Sequence, residues 1–480
     1  MRADESQQGE GEGPAGEPSI EAMGRDRPLA WLGFGLEGPV YRLVVWCFVV
    51  GSVCHLWLAD AWQWEWLPAN LLYVVGIAIL AWRGALAGWL LSGLGLALPL
   101  LFHRDVLTQS MFLLFVSLAG VWATGRGERD AFLKTVRWLT ILVYGLAVFH
   151  KLNADFLNPQ YSCALYGLDE VAGYWHLPTI SASSPLAEGV PWLILGSEAA
   201  IAVLHVAGYR RICWSFAVGF HIFLTFTMAP AFVFVMLVGH AAFARPADLR
   251  QLGDLLARRW PALSTIALLA TTASIAAHRE LPDWSMIPRE FALWGLLAAL
   301  IWAFPPWRAA GWVRDGGPPA DGGRWLPRIA AALFLLNGLT PYLGLQYQHT
   351  AAMVSNLRID RGCWNHLLVP ESTRLQDPYI RIEEAYFGEP GAIPDYEEVV
   401  ERQLWSPPQI RQMRRNWCRP EVRPFHLTGT YRGESFAIED LCADEPLPFG
   451  EWRVFGEAVF GDFLRFQKNL RRRCPQTCIH

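Results

Sequence analysis

Charge is scarce in this chain. Asp, Glu, Lys and Arg make up 18% of its 480 residues, against about a quarter in a soluble globular domain. The formal net charge is −4, too small and of the wrong sign to draw the chain to nucleic acid. The sequence also lacks a Walker loop, a nucleotide-binding glycine fingerprint and zinc-ribbon cysteine spacing, which leaves those nucleotide and zinc classes without a motif. No metal is expected: Cys474, Cys478 and His480 cluster at the end of the chain, but their spacing matches no strong ligand motif. Residues 1–34 open with the Gly- and Glu-rich stretch "MRADESQQGEGEGPAGEPSIEAMGRDRP". Such a stretch cannot bury enough surface to order itself, and it has neither the basic start nor the apolar middle of a signal peptide. It is read as a disordered cytoplasmic tail. No internal repeat of the kind many transporters carry is visible.

What is abundant is apolar. Hydrophobic residues reach 53%, with 24 Trp, and mean hydropathy is +0.21. A helix that crosses a bilayer needs about 20 apolar residues. Candidate spans fall at 40–59, 67–82, 84–102, 107–124, 132–150, 190–207, 211–228, 230–245, 260–278, 287–304 and 328–345. Hydropathy therefore gives a mainly α fold, a polytopic transmembrane helical bundle of roughly 9–11 spans, occupying residues 35–346. Arginine collects in alternate gaps: Arg42 and Arg83, then Arg126 and Arg129, Arg210 and Arg211, Arg245 to Arg259, and Arg308 to Arg328. The intervening gaps are poor in Lys and Arg. The positive-inside rule then puts the N-terminus in the cytoplasm of an integral membrane protein, with the bacterial inner membrane as its location.

Residues 347–480 read as a small extracytoplasmic α+β domain. "FHLTGTYRGESFAIEDL" alternates about a glycine turn and predicts a β-hairpin. "DYEEVVERQLW" and "FGDFLRFQKNL" predict short amphipathic helices. Cys363, Cys418, Cys442, Cys474 and Cys478 predict one or two disulfides in an oxidising compartment, with pairing open.

Ionisable groups inside apolar spans are candidates for function. Glu198 lies within "VPWLILGSEAAIAVLHVAG", with His205 two turns later on the same face, and His221 lies within "FAVGFHIFLTFTMAP". A structural reading pairs Glu198 with His221 or nearby hydroxyls; a functional one has them bind substrate. His205 and His240 are expected at the interface. Asn337, Thr340 and Pro341 interrupt the last span. By the topology above, "FHKLNADFL" (residues 149–157) emerges on the outer face, where Lys151 is no positive-inside anchor. Either it pairs with Asp155 at i+4, or it is a partly desolvated amine available as a base. His103, after "LGLALPLLF", emerges on the same side.

"FHKLNADFL" resembles the lysine motif of the vitamin K-dependent γ-carboxylase and its bacterial relatives with an HTTM domain. "LNGLTPYLGLQYQHTAAMVSNLR", followed by "WNHLLVP", resembles the segment that joins the last span of that family to its tail, and the likeness runs over about residues 35–370. The carboxylase motif has Lys-Lys-Leu-Asp-Ala-Asp-Trp where this chain has His150 to Phe156, and the tail here is shorter. The resemblance implies a lyase-like membrane enzyme in which Lys151 deprotonates a reduced naphthoquinone, menaquinol or vitamin K hydroquinone, supported by His103. Glu198, His221, Asn337 and Asp155 are the expected substrate-binding residues. Membrane lipids, the quinol and an extracytoplasmic protein or peptide substrate are the expected partners. Set against it are a transporter or binder of a small or lipidic molecule, with Glu198, His221 and the break at Pro341 lining its path, and an assembly module whose tail docks a partner.

Overall fold

The computed structural model describes residues 38–58, 67–83, 86–101, 108–174, 177–227, 232–246, 325–347, 350–449 apart from single positions and 419–422, and 470–478, with scattered positions between 249 and 272. His103, the expected spans at 287–304 and, for the most part, 260–278, and the helix expected in "FGDFLRFQKNL" lie outside the described residues.

The described chain is mostly helical, with one small antiparallel sheet. The helices α1 (Pro39–Leu58), α2 (Leu67–Arg83), α3 (Leu86–Leu101), α4 (Thr108–Arg126) and α5 (Arg129–Lys151) follow the apolar runs, with basic residues at the ends of α2, α4 and α5. A single turn, α6 (Ala154–Leu157), and α7 (Cys163–Tyr174) lead to α8 (Pro185–Ala207), α9 (Arg210–Thr227) and α10 (Phe232–Ala241). After a gap comes α11 (Trp325–Leu339), which gives way at Thr340 to one 3₁₀ turn, Thr340–Leu343. The break falls where Pro341 removes a backbone donor.

Among the described residues, four stretches are long and apolar enough to cross a membrane: Pro39–Leu56, Arg129–Lys151, Pro185–Ala207 and Trp325–Leu343. Shorter apolar helices accompany them. The pattern on α8 inverts that of a soluble helix, because Leu186, Leu193 and Val203 are exposed while Glu198 and His205 are buried. Its start is fixed by Ser184, whose hydroxyl accepts from Ala187 N at 3.2 Å with Pro185 in the first turn.

Small residues let helices approach closely where no water drives them together. A Cβ on Gly76 of α2 would sit 2.5 Å from the backbone nitrogen of Ser92 in α3, and one on Gly95 would sit 2.6 Å from Tyr73 N. Beside this pair the fully buried Trp89 donates to Tyr41 Oη at 3.1 Å and packs against Phe48 and Phe132.

Beyond α11 the chain forms a sheet of order β2-β1-β3-β4 from β1 (Ile380–Phe387), β2 (Leu404–Trp405), β3 (Phe425–Tyr431) and β4 (Glu434–Ile438). The expected hairpin is β3-β4, turning at Arg432 and Gly433. "DYEEVVERQLW" splits into α12 (Pro394–Arg402) and the edge strand β2, where Leu404 N bonds Leu470 O. A further helix, α13 (Pro407–Trp417), carries a capping box between Ser406 and Gln409. The aromatic core holds Phe387, Phe425 and Trp417.

Three disulfides are formed: Cys163–Cys478, Cys363–Cys474 and Cys418–Cys442. This exceeds the one or two expected, because Cys163, at the start of α7, supplies the odd partner. The disulfides also remove Cys474 and Cys478 from any ligand set. Cys47, Cys54 and Cys213 are free, in α1 and α9.

The close α2–α3 approach makes a testable contrast. Gly76→Ala drives a methyl into backbone that cannot yield and is expected to cost about 1–3 kcal/mol. Gly93→Ala, whose Cβ meets nothing nearer than Ser117 at 3.6 Å, should leave the melting temperature in detergent unchanged.

Candidate functional site

Helix α5 ends at Lys151 because the next residues leave helical geometry: Leu152 has ψ 64° and Asn153 is extended at φ −138°, ψ 157°. That break removes the i+4 relation, so Lys151 and Asp155 do not pair as expected. Lys151 instead turns toward α8, and its Nζ lies 2.9 Å from both carboxylate oxygens of Glu198. The side chains are 5% and 7% exposed, so this is a buried ion pair. The Phe156 ring lies 5.8 Å from Nζ, in an apolar cluster with Val190 and Ile194.

Glu198 is therefore matched to Lys151 and not to His221. His221 Nε2 is hydrogen-bonded to the Tyr144 hydroxyl, which also meets His240 Nε2 at 2.9 Å. His240 Nδ1 continues to His205 Nε2 at 3.0 Å. His205 and His240, expected at the interface, are 3% and 6% exposed and lie inside the bundle. A neutral imidazole carries one N–H and a tyrosine hydroxyl both donates and accepts. The row His221–Tyr144–His240–His205 can consequently be satisfied in either of two directions. Tyr144 is two turns before Lys151, and His205 two turns after Glu198. The pair and the row thus occupy one seam between α5 and α8, about 10 Å apart along the axes.

The residues on either side of Lys151 face elsewhere. His150 stacks on Tyr342, with Nδ1 2.8 Å from its hydroxyl and Nε2 3.0 Å from Thr350 O. Asn153 is fully buried. It donates to His150 O at 2.8 Å and Ser355 O at 2.5 Å, and its Oδ1 accepts from Phe156 N at 2.8 Å. Asn365 Nδ2 reaches the same oxygen at 3.3 Å, and His366 Nε2 lies 2.9 Å from Phe149 O. Burial pushes the His366 imidazole down. Asp155 sits at the rim of this network, half-buried, its carboxyl raised by burial against the hydrogen bond from Asn365. The structure thus joins the two segments singled out in the sequence, "FHKLNADFL" and "LNGLTPYLG…SNLR…WNH". Asn337 takes a hydrogen bond from Gln346 Nε2 at 2.6 Å and belongs to this junction, not to the Lys151 pair.

Sequence reasoning missed Tyr144, whose signal was its i−7 spacing from Lys151. It also missed His55, which bonds Ser110 Oγ at 2.8 Å and Gln109 Oε1 at 3.2 Å between α1 and α4. No group of three or more His, Cys, Asp or Glu among the described residues is placed to hold a metal. A cavity of about 590 Å³ lies in the C-terminal domain, and none of the predicted site residues lines it.

Comparison with protein families, characterised proteins and solved structures returns no match.

A buried charge left without its partner is strongly destabilising, whereas replacing both by apolar groups is close to neutral. Lys151→Met alone should cost about 3–5 kcal/mol. The double replacement Lys151→Met with Glu198→Leu should recover most of that loss, read as melting temperature in detergent.

Proposed function

We propose that this chain is an integral membrane enzyme, N-terminus cytoplasmic and C-terminal domain extracytoplasmic, in which Lys151 and Glu198 together form the base for a reduced naphthoquinone. The observation that carries the reading is a buried amine–carboxylate pair at one end of an apolar bundle. Ionisable groups in such a place are costly and are retained for function more often than for stability.

The choice of cation supports a chemical role. Lysine occurs at positions 134, 151 and 468, and arginine supplies positive charge elsewhere. A guanidinium stays protonated, whereas an ammonium can give up its proton. In a low-dielectric site the pair can pass one proton from Nζ to the Glu198 carboxylate, leaving a neutral amine beside a neutral acid. The amine then takes the proton of a phenolic O–H, whose electron pair stays on oxygen. Net, the substrate proton resides on the pair and the ring oxygen becomes an anion. When bound, the quinol supplies the reducing electrons that molecular oxygen consumes in epoxide formation. The donor set suits such a ligand: one proton-accepting pair among Phe156, Val190 and Ile194. Because the pair is closed, ligand entry requires α5 and α8 to part at this end.

Sidedness has independent support. Disulfides persist in oxidising compartments. The six paired cysteines lie either just beyond the Lys151 end of α5 or in the C-terminal domain, and the free ones lie in apolar helices. This agrees with the side that arginine placement assigns to Lys151.

The test supplies reduced menaquinone-type quinol and oxygen to the purified protein and measures epoxide. Wild type should turn over, and Lys151→Ala and Glu198→Gln should each lose about 10²-fold or more. Equal epoxide from wild type and both variants overturns the reading.

One observation favours a second reading, proton translocation: a hydrogen-bonded row through Tyr144 and three histidines lies on the same α5–α8 seam, two turns from the pair. If protons move along it, Tyr144→Phe cuts dye-reported proton flux in proteoliposomes at least tenfold. Flux unchanged by that substitution rejects translocation along this row.

A further inference from the structure

Four arginines of the C-terminal domain face one cavity. Arg361, Arg374, Arg381 and Arg432 line the space of about 590 Å³ together with the carboxylates Glu371 and Asp377. Glu371 is matched to Arg374 at 2.8 Å. Asp377 lies within electrostatic reach of Arg374 and Arg381. Four guanidinium groups against two carboxylates still give the concave site a net positive lining, and guanidinium groups suit oxyanions in two-point contacts.

A second observation comes from the backbone. Arg432 and Gly433 form the β3-β4 turn with φ 55° and 85°. A turn with both central residues at positive φ favours Asn-Gly, and arginine is a poor occupant of the first position. A strained residue whose side chain lines a cavity points to a use for that side chain.

The third is position. Leu375 N donates to Leu343 O at 3.2 Å, and Thr373 Oγ1 to Tyr342 O at 3.2 Å. Residues 371–375, which form one wall of the cavity, are thereby fastened to the end of the apolar stretch Trp325–Leu343. Leu375 and, in the preceding loop, Leu367 and Leu368 are exposed.

We propose that this cleft binds a phosphate-bearing ligand at the membrane face of the C-terminal domain. A phosphomonoester carries nearly two negative charges, which matches the surplus arginine better than a single carboxylate does. The cavity is larger than inorganic phosphate and takes an organic group beside it. The same chemistry is offered by a phospholipid headgroup and by a free phosphorylated metabolite.

The full chain in maltoside micelles is titrated calorimetrically with inorganic phosphate, with dihexanoyl phosphatidic acid and with dihexanoyl phosphatidylcholine. Saturable binding of phosphatidic acid, at least tenfold tighter than inorganic phosphate, supports the proposal with a lipid source. Equal binding of the two supports it with a free phosphate source. Arg381→Gln should weaken the tighter ligand at least tenfold. Arg432→Asn should weaken it similarly while raising the melting temperature, since Asn fits the turn; loss of affinity with gain of stability excludes misfolding as the cause. No saturable binding of either phosphate species, phosphatidylcholine binding as tightly as phosphatidic acid, or unchanged affinity in both variants overturns it.

Discussion

A protonated amine buried in an apolar bundle must have its counter-charge within reach, and Lys151 finds it in Glu198, 2.9 Å away on α8. Taking either ion out of water costs several kcal/mol, which only close pairing offsets. The pair therefore fixes how far α8 can slide or rotate against α5. Everything else on that seam inherits the register: two turns along both helices, Tyr144 and His205 come to the same interface and share His240 between them, while His221 meets Tyr144 from the other side. A bundle held this way is specific in alignment but not strongly driven, because small residues and dispersion supply the remaining packing.

The second constraint is local and lies next door. Asn153 satisfies four separate partners around the end of α5 and so stops the helix at Lys151. The stop decides which carboxylate Lys151 meets: a continued helix would bring Asp155 alongside, whereas the extended Asn153 carries it away and leaves Glu198. Arg358 does comparable work farther on. Fully buried, it holds both oxygens of Asp360 at 2.9 Å and reaches the carbonyls of Arg471 and Arg473, tying the segment after α11 to the end of the chain. The Cys363–Cys474 and Cys163–Cys478 bonds close the same junction covalently.

Most helices were legible because each is an apolar run ended by arginine, glycine or proline, signals that depend on nearest neighbours along the chain. The hairpin at Arg432–Gly433 was legible for the same reason. The side-chain partners were not. Glu198 and His221 looked like partners because they are the polar residues of two successive apolar runs, but pairing is settled by which helices touch, and α5 packs along α8. The i+4 spacing of Lys151 and Asp155 presupposed a helix that Asn153 ends, and Asn153 is held in place partly by Ser355 O, a partner 202 residues away that no local pattern reveals. The five tail cysteines pointed to one or two disulfides; the third was not legible, because Cys163, the partner of Cys478, lies 315 residues earlier in the chain.

Taken together, the neighbours of Lys151 narrow its role. His150 is committed to Tyr342 and Thr350, Asn153 to the junction, and Asp155 to Asn365. Each could be explained by architecture alone. Lys151 is different, because arginine is this chain's habitual cation and in general makes the better two-point contact with a carboxylate. What lysine offers at that position, and arginine does not, is a nitrogen able to exist without its proton. A purely structural pair has no need of that property. A pair that must accept a proton and later release it does, and that difference is why the proposed chemistry is assigned to Lys151 and Glu198.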